Sequence, residues 1–314
     1  MPAMRRILFA GAIAAMISSS AVCLSAQEEG PVATTALINV QSKSSVPLNP
    51  EMLTLQVNGH GTPVTGVRPV SANRAQVAIL IDDGLRGSFG NQIQDLTEFI
   101  NALPPGMQVL VGYMRNGMVD VASSENKGFS ADHAAVASSL RITLSARGIS
   151  ASPYFCLSEF VKHWPSNQPG PRFVLMLTNG VDPYNGSTSM LNQDSPYVQT
   201  AQEDAQRNGV AVYSIYYSDA GMRGGRGSFS GQSYLQQVAE ATGAESFYQG
   251  TGSPVSLTPF LKEFDKDIAE SYTISFMADP GRGKNDLARL KLKTSQPGVK
   301  LHAPDGVRPG VALQ

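Results

Sequence analysis

The stretch Val77-Ala-Ile-Leu-Ile-Asp-Asp-Gly-Leu-Arg-Gly-Ser-Phe89 runs five apolar residues straight into two carboxylates, a glycine, an arginine and a serine. An unbroken apolar run of this length reads as a strand buried on both faces, as in a parallel sheet covered by helices on either side. The acids then fall at the C-terminal end of the strand, the edge at which open α/β sheets bind ligands. Two carboxylates at the end of a buried strand call for a cationic partner. A metal, a substrate and Arg86 are the candidates.

Working outward, Phe89, Ile93, Leu96, Ile100 and Leu103 recur at helical spacing until Pro104-Pro105-Gly106 stops them. Val109-Leu-Val-Gly-Tyr113 and Met118-Val-Asp-Val121, joined by Arg115-Asn-Gly117, predict a strand hairpin and so one antiparallel edge. Residues 130 to 164 read as mostly helical, with a break near Ala146 to Pro153. Arg172 to Thr178 is a second apolar strand, Asp194-Ser-Pro196 opens a helix with an acidic or hydroxyl cap that ends at Asn208-Gly209, and Val210 to Tyr217 is a further strand. A helix capped near Ser230 and stopped at Gly243, a short strand at Phe247-Tyr248 and a helix from Leu257 to Ile268 complete the alternation. The expected fold is α/β: a Rossmann-like, doubly wound, mostly parallel sheet with one antiparallel edge strand.

The flanks follow a different period. After a polar leader to about Pro50, Leu53 to Val67 alternates around Asn58-Gly-His-Gly61, a hairpin signal. From Ser271 onward, Tyr272-Thr-Ile-Ser-Phe276 and Leu287-Ala-Arg-Leu-Lys-Leu-Lys293 alternate as antiparallel strands. Because these segments bracket the core, they are expected to pair with each other as a small β appendage with the core inserted into it. At the N-terminus, Arg5-Arg6, an apolar run from Ile7 to Ile17 and small residues to Ala26 predict a secretory signal peptide. The expected organisation is a signal over 1–26, a leader and hairpin over 27–74, the α/β core over 75–270 and a β tail over 271–314. Cleavage after Ala26 leaves Cys156 as the only cysteine and no transmembrane segment, and a lipidated Cys23 is the rival reading.

Val77 to Ser88, Phe173 to Asp182 and Tyr234 to Tyr248 resemble, in order and spacing, the von Willebrand factor type A (vWA) domain, over about residues 75 to 270. The flanks are similar to those of secreted bacterial proteins of that type. The resemblance implies a metal-ion-dependent adhesion site: Asp-x-Ser-x-Ser, a threonine from a second loop and an aspartate in Thr-Asp-Gly, holding Mg²⁺ through oxygens. This sequence departs from that pattern. Counted from Asp82 the serine positions fall on Gly84 and Arg86, and counted from Asp83 on Leu85 and Gly87. Asn179 replaces the aspartate, and Ser150 or Ala151 stands for the threonine. A guanidinium cannot ligate a metal and repels one nearby. Arg86 is therefore expected to take the cation's place, pairing with Asp82 or Asp83. Three readings of the corner stay open: a structural turn with Asp82 as helix cap, a metal-free contact site, and weak binding of Mg or Ca through Asp82, Ser88 and Asp182.

Other chemistries leave less trace. A net charge of -1 with 16% charged residues argues against a nucleic-acid partner. Asp82-Asp83 with Thr178 superficially suits a receiver domain, but the further aspartate and lysine are missing in order, and no Asp-x-Asp phosphatase motif is present. Gly148-Ile-Ser-Ala-Ser152 is not a nucleophile elbow. His60, His133, His163 and His302 are scattered without metal-ligand spacing. Cys156 lies at helical spacing among apolar residues and reads as a buried small hydrophobe.

The expectation is thus an exported, periplasmic or secreted, non-enzymatic module that binds a protein partner without a cofactor. Its contacts are expected among Asp82, Asp83, Arg86, Ser88, Ser150, Asn179 and Asp182, with Arg223 and Arg226 in a glycine-rich loop and Pro183 to Gln193 beside them. The alternatives are a module using Mg or Ca and a cryptic hydrolase.

Overall fold

The computed structural model describes residues 30–42, 47–122, 128–146, 149–182, 195–218, 226–250, 252–280 and 286–313. The first four strands are β1 (Val32–Ser42), β2 (Leu53–Val57), β3 (His60–Thr62) and β4 (Val64–Pro69). The α/β stretch follows: β5 (Gln76–Asp82), α1 (Ile93–Ala102), β6 (Gln108–Arg115), β7 (Met118–Val121), α2 (His133–Ser138), α3 (Pro153–Lys162) and β8 (Arg172–Thr178). It continues through α4 (Pro196–Arg207), β9 (Val210–Tyr216), α5 (Arg226–Ala241), β10 (Ser246–Phe247) and α6 (Thr258–Ala269). The last strands are β11 (Ser271–Ala278), β12 (Ala288–Thr294), β13 (Val299–His302) and β14 (Gly306–Val307).

The central sheet runs β10-β9-β8-β5-β6-β7, parallel except for β7, which folds back on β6 as the sequence predicts. Numbered within the sheet this is the 3-2-1-4-5-6 order of doubly wound folds, whose switch point lies between β5 and β8. Strand β5 is buried along its whole length because it faces two cores. Val77, Ile79 and Ile81 belong to one apolar cluster with Leu96 and Ile100 of α1, Val136 of α2 and Phe264 of α6, while Ala78 and Leu80 belong to another with Leu157 of α3, Val198 of α4 and Val238 of α5. That two-sided burial explains the absence of apolar-polar alternation in Val77 to Ile81.

The flanking strands form two four-stranded sheets, β13-β1-β11-β4 and β14-β12-β2-β3. They enclose one apolar cluster of Ala36, Ile38 and Val40 from β1, Leu55 and Val57 from β2, Ile274 and Phe276 from β11 and Leu290 from β12. The flanks therefore do pair with each other, with the α/β unit inserted between β4 and β11, which are themselves hydrogen-bonded neighbours. The hairpin at Asn58-Gly59 turns with both residues at positive φ, 52° and 84°, as its sequence demands.

Four expectations need correction. The supposed polar leader contains β1, an eleven-residue strand paired on both sides. Its alternation is hidden because the second face is covered too, with Leu37 entering the α/β core. The segment expected to be mostly helical from 130 to 164 shows two short helices among its described residues, and residues 140 to 146 run irregularly across the acidic corner. Helix α5 begins at Arg226, four residues before the expected cap. Lastly, β11 and β12 do not pair with each other but sit in opposite sheets.

Candidate functional site at the switch point

Asp82 ends β5 and Thr178 ends β8, so the sheet order alone sets them side by side at the C-terminal edge. Asp82 is buried. Its Oδ1 accepts from the Gly84 N–H at 2.9 Å and its Oδ2 from the Thr178 hydroxyl at 2.8 Å, while the Ser150 hydroxyl adds a further hydrogen bond. Burial still dominates and raises the carboxyl above its ordinary range, against the pull of these donors. Of the three segments expected to converge, 82–83, 148–152 and 178–182, the described residues do so, Gly148 lying outside them. Ser150, not Ala151, is the residue that reaches the acid.

Asp83 is also fully buried but is held differently. Arg141 grips it with both arms, Nη1 to Oδ1 at 2.7 Å and Nη2 to Oδ2 at 2.9 Å, and the Leu144 N–H donates to Oδ1 at 3.0 Å. Desolvation pushes this carboxyl up, but the guanidinium and the amide outweigh it and hold it below the ordinary carboxylate range. Arg141 lies 3.7 Å above the ring centroid of Tyr113, whose hydroxyl donates to the Arg141 carbonyl. Thr143 donates to the Leu85 carbonyl at 2.7 Å, which pins the irregular strap onto the corner. The sequence placed Arg86 opposite the acids. The cation that meets Asp83 is Arg141, brought from 58 residues away, and no local pattern announces a pair at that separation.

The other expected site residues lie on the same edge with partners of their own. Ser88 is exposed and its hydroxyl sits 3.4 Å from that of Tyr217. Asn179 turns its Oδ1 to the Val181 N–H at 2.9 Å, and Asp182 Oδ2 accepts from the Ser195 hydroxyl at 2.6 Å. Arg223, the Pro183 to Gln193 loop and the signal over 1–26 lie outside the described residues, and Arg226 is described only as the first residue of α5. Sequence reasoning also missed Gly231, where α5 passes so close to the β8 turn that a methyl group would collide with the Asn179 carbonyl.

This donor set does not fit the Mg²⁺ that the vWA resemblance implies. Mg²⁺ demands several free oxygens in octahedral array. Here both Asp82 oxygens receive hydrogen bonds from the protein, Asp83 is bound by a guanidinium, and Asn179 bonds within its own turn. Among the described residues no three His, Cys, Asp or Glu are grouped closely enough to hold a metal. Cys156 is poorly suited to act as a nucleophile. The buried Cys156 donates to the Ser150 carbonyl, and burial together with Asp82 pushes its thiol up to about 12.

The fold so assembled is vWA-like: a doubly wound sheet with an antiparallel edge strand and an acid at the switch point. No family model matches the chain, and no curated protein matches it. Among solved structures it is similar to an aerotolerance-related membrane protein from Bacteroides fragilis at 11% identity and TM-score 0.39, covering 62% of this chain and 98% of that one. It is likewise similar to a conserved hypothetical protein, BatB, from Bacteroides thetaiotaomicron, at 11% identity and TM-score 0.39, covering 62% and 96%. The SpRpn10 VWA domain is a third, at 14% identity and TM-score 0.36, covering 60% and 94%. The strand order and the placement of Asp82, Ser150 and Thr178, rather than these superpositions, carry the description of the fold.

Proposed function

We propose that this chain is an exported, non-enzymatic protein-binding module that engages its partner through the loops at the C-terminal edge of the sheet, without a metal. The observation that carries this reading is the Asp83–Arg141 pair, an internal cation at the corner where the resemblance implies a metal. The same edge collects the exposed Ser88 and the turn at Asn179, and loops on a rigid scaffold are where binding residues gather. No nucleophile and base are paired at this edge among the described residues, which weighs against the hydrolase reading. Export is part of the proposal and rests on the basic, apolar and small-residue order of residues 1 to 26. Among the described residues no helix is long and apolar enough to cross a membrane.

The test is site-directed photocrosslinking in EDTA. A photoreactive residue at Ser88 should capture a discrete protein adduct, while one at Asn73, at the opposite edge of the sheet, should not. Equal capture from both positions, or capture from Ser88 only after Mg²⁺ is restored, would overturn the reading.

A further inference from the structure

At the other edge of the sheet, where α6 ends and β1 crosses behind it, lies a cleft of about 440 Å³ lined by Gln41, Glu245, Glu263, Lys266 and Asp267. Among the described residues its lining carries three carboxylates and one ammonium, Lys266, which faces Glu270 Oε2 at 3.7 Å. Glu245 accepts from Gln41 Nε2 at 2.6 Å and lies 3.4 Å from His302 Nε2, an imidazole whose pKa burial lowers. At the floor, Asp267 is 5% exposed and its Oδ2 has no donor. Beside it Asn39 spends its amide N–H on the Asp267 carbonyl at 2.9 Å, and its own buried Oδ1 also lacks a donor. A buried acceptor left without a hydrogen costs the full desolvation of that atom, so Asp267 Oδ2, on a residue that lines the cleft, favours a ligand able to donate to it.

A ligand with positive charge and more than one N–H complements both the acidic lining and Asp267 Oδ2. A bare metal fits poorly, since no three acidic or imidazole side chains among the described residues converge closely enough to share one. An ammonium or guanidinium on a carbon skeleton can span separated carboxylates and donate in several directions. We propose that this cleft is a binding site for an alkylammonium or alkylguanidinium group, carried by a free small molecule or at the tip of a basic side chain, with Asp267 as its principal counter-charge and Glu245 and Glu263 at the rim. The site is separate from the corner at Asp82 and does not depend on the function proposed there.

Titration calorimetry of the purified protein with agmatine, and separately with a Gly-Arg-Gly peptide, tests it, with MgCl₂ at matched ionic strength as the control. Saturable binding of agmatine assigns a free cation, and binding of the peptide alone assigns a basic side chain. Either should weaken at least tenfold in Asp267→Asn, which keeps the shape, and in Glu263→Lys, which acts at an exposed rim position away from the core. Burial, then Glu245 and Glu270, push the Asp267 carboxyl up to about 7, with Lys266 opposing and Glu263 adding to the rise. Binding should therefore be tighter at pH 8 than at pH 5.5. Absence of saturable binding by both probes, unchanged affinity in both variants, or equal competition by Mg²⁺ would overturn the proposal. None of these results touches photocapture at Ser88, so the two proposals fail independently.

Discussion

Asp82 and Asp83 are chemically identical neighbours whose surroundings push them in opposite directions. Desolvation wins at Asp82, which has only neutral donors, and loses at Asp83, which has a guanidinium. Removing the guanidinium leaves a buried charge unpaired, so Arg141→Ala should lower unfolding free energy by about 2–3 kcal/mol, discounted because Arg141 is partly exposed. Urea denaturation would measure this. Asp82→Asn should stay within about 1 kcal/mol of wild type at pH 7, since it replaces a carboxylate that burial disfavours. The pH dependence follows by linkage. Asp83 is depressed in the folded state, so its stabilisation is present above the unfolded carboxylate pKa and is lost as pH falls through the lower folded value. Stability measured from pH 6 down to pH 2 should fall less steeply in Asp83→Asn than in wild type. Cys156, with its thiol raised to about 12, should resist a thiol reagent at pH 8 until the protein is unfolded by denaturant.

At the scale of elements, close approach between α5 and the β8 turn shapes the C-terminal edge of the sheet. Gly180 has φ +65°, and a side chain there or at Gly231 would strike the other segment's backbone. Gly231→Ala should push α5 away from the turn and cost about 2 kcal/mol, read as a lowered urea midpoint at unchanged slope. Elements with an apolar environment on every buried face were legible in the sequence: β5, β8 and β9 as apolar runs, broken in β9 only by Ser214, β6 and β7 through Asn116-Gly117, α4 through Asp194-Ser195-Pro196. Elements serving two environments were not. In β1, Ala36, Ile38 and Val40 face the sandwich, while Leu37 and Asn39 face the α/β unit, so Thr, Asn and Gln interrupt what would otherwise read as a strand. The strap carrying Arg141 was hidden for another reason. Its conformation is set by Asp83, Leu85 and Tyr113, all distant in sequence, so the local pattern near 140 favoured helix.

For the whole molecule, the two layers share residues rather than merely touching. Leu37 from β1 and Leu313 from the C-terminal end both enter the α/β core, and the Leu313 N–H donates to Thr35 Oγ1 at 2.9 Å. Sandwich and α/β unit should therefore melt together. Calorimetry should show one transition with equal calorimetric and van't Hoff enthalpies, and a chain cut to residues 75–270 should melt at a lower temperature because it loses that cover.

The insertion between β4 and β11 also has a mechanical consequence. The chain leaves the sandwich after Val70 and returns at Ser271, and these two residues are joined by a backbone hydrogen bond of 2.9 Å. Tension applied at the two ends of the described chain enters through β1 and the C-terminal strands and reaches the α/β unit first through Leu37 and Leu313, which sit in its core. A pulled molecule would lose that shared packing as its sandwich gives way, while the two crossings, clamped together at Val70 and Ser271, would be loaded last.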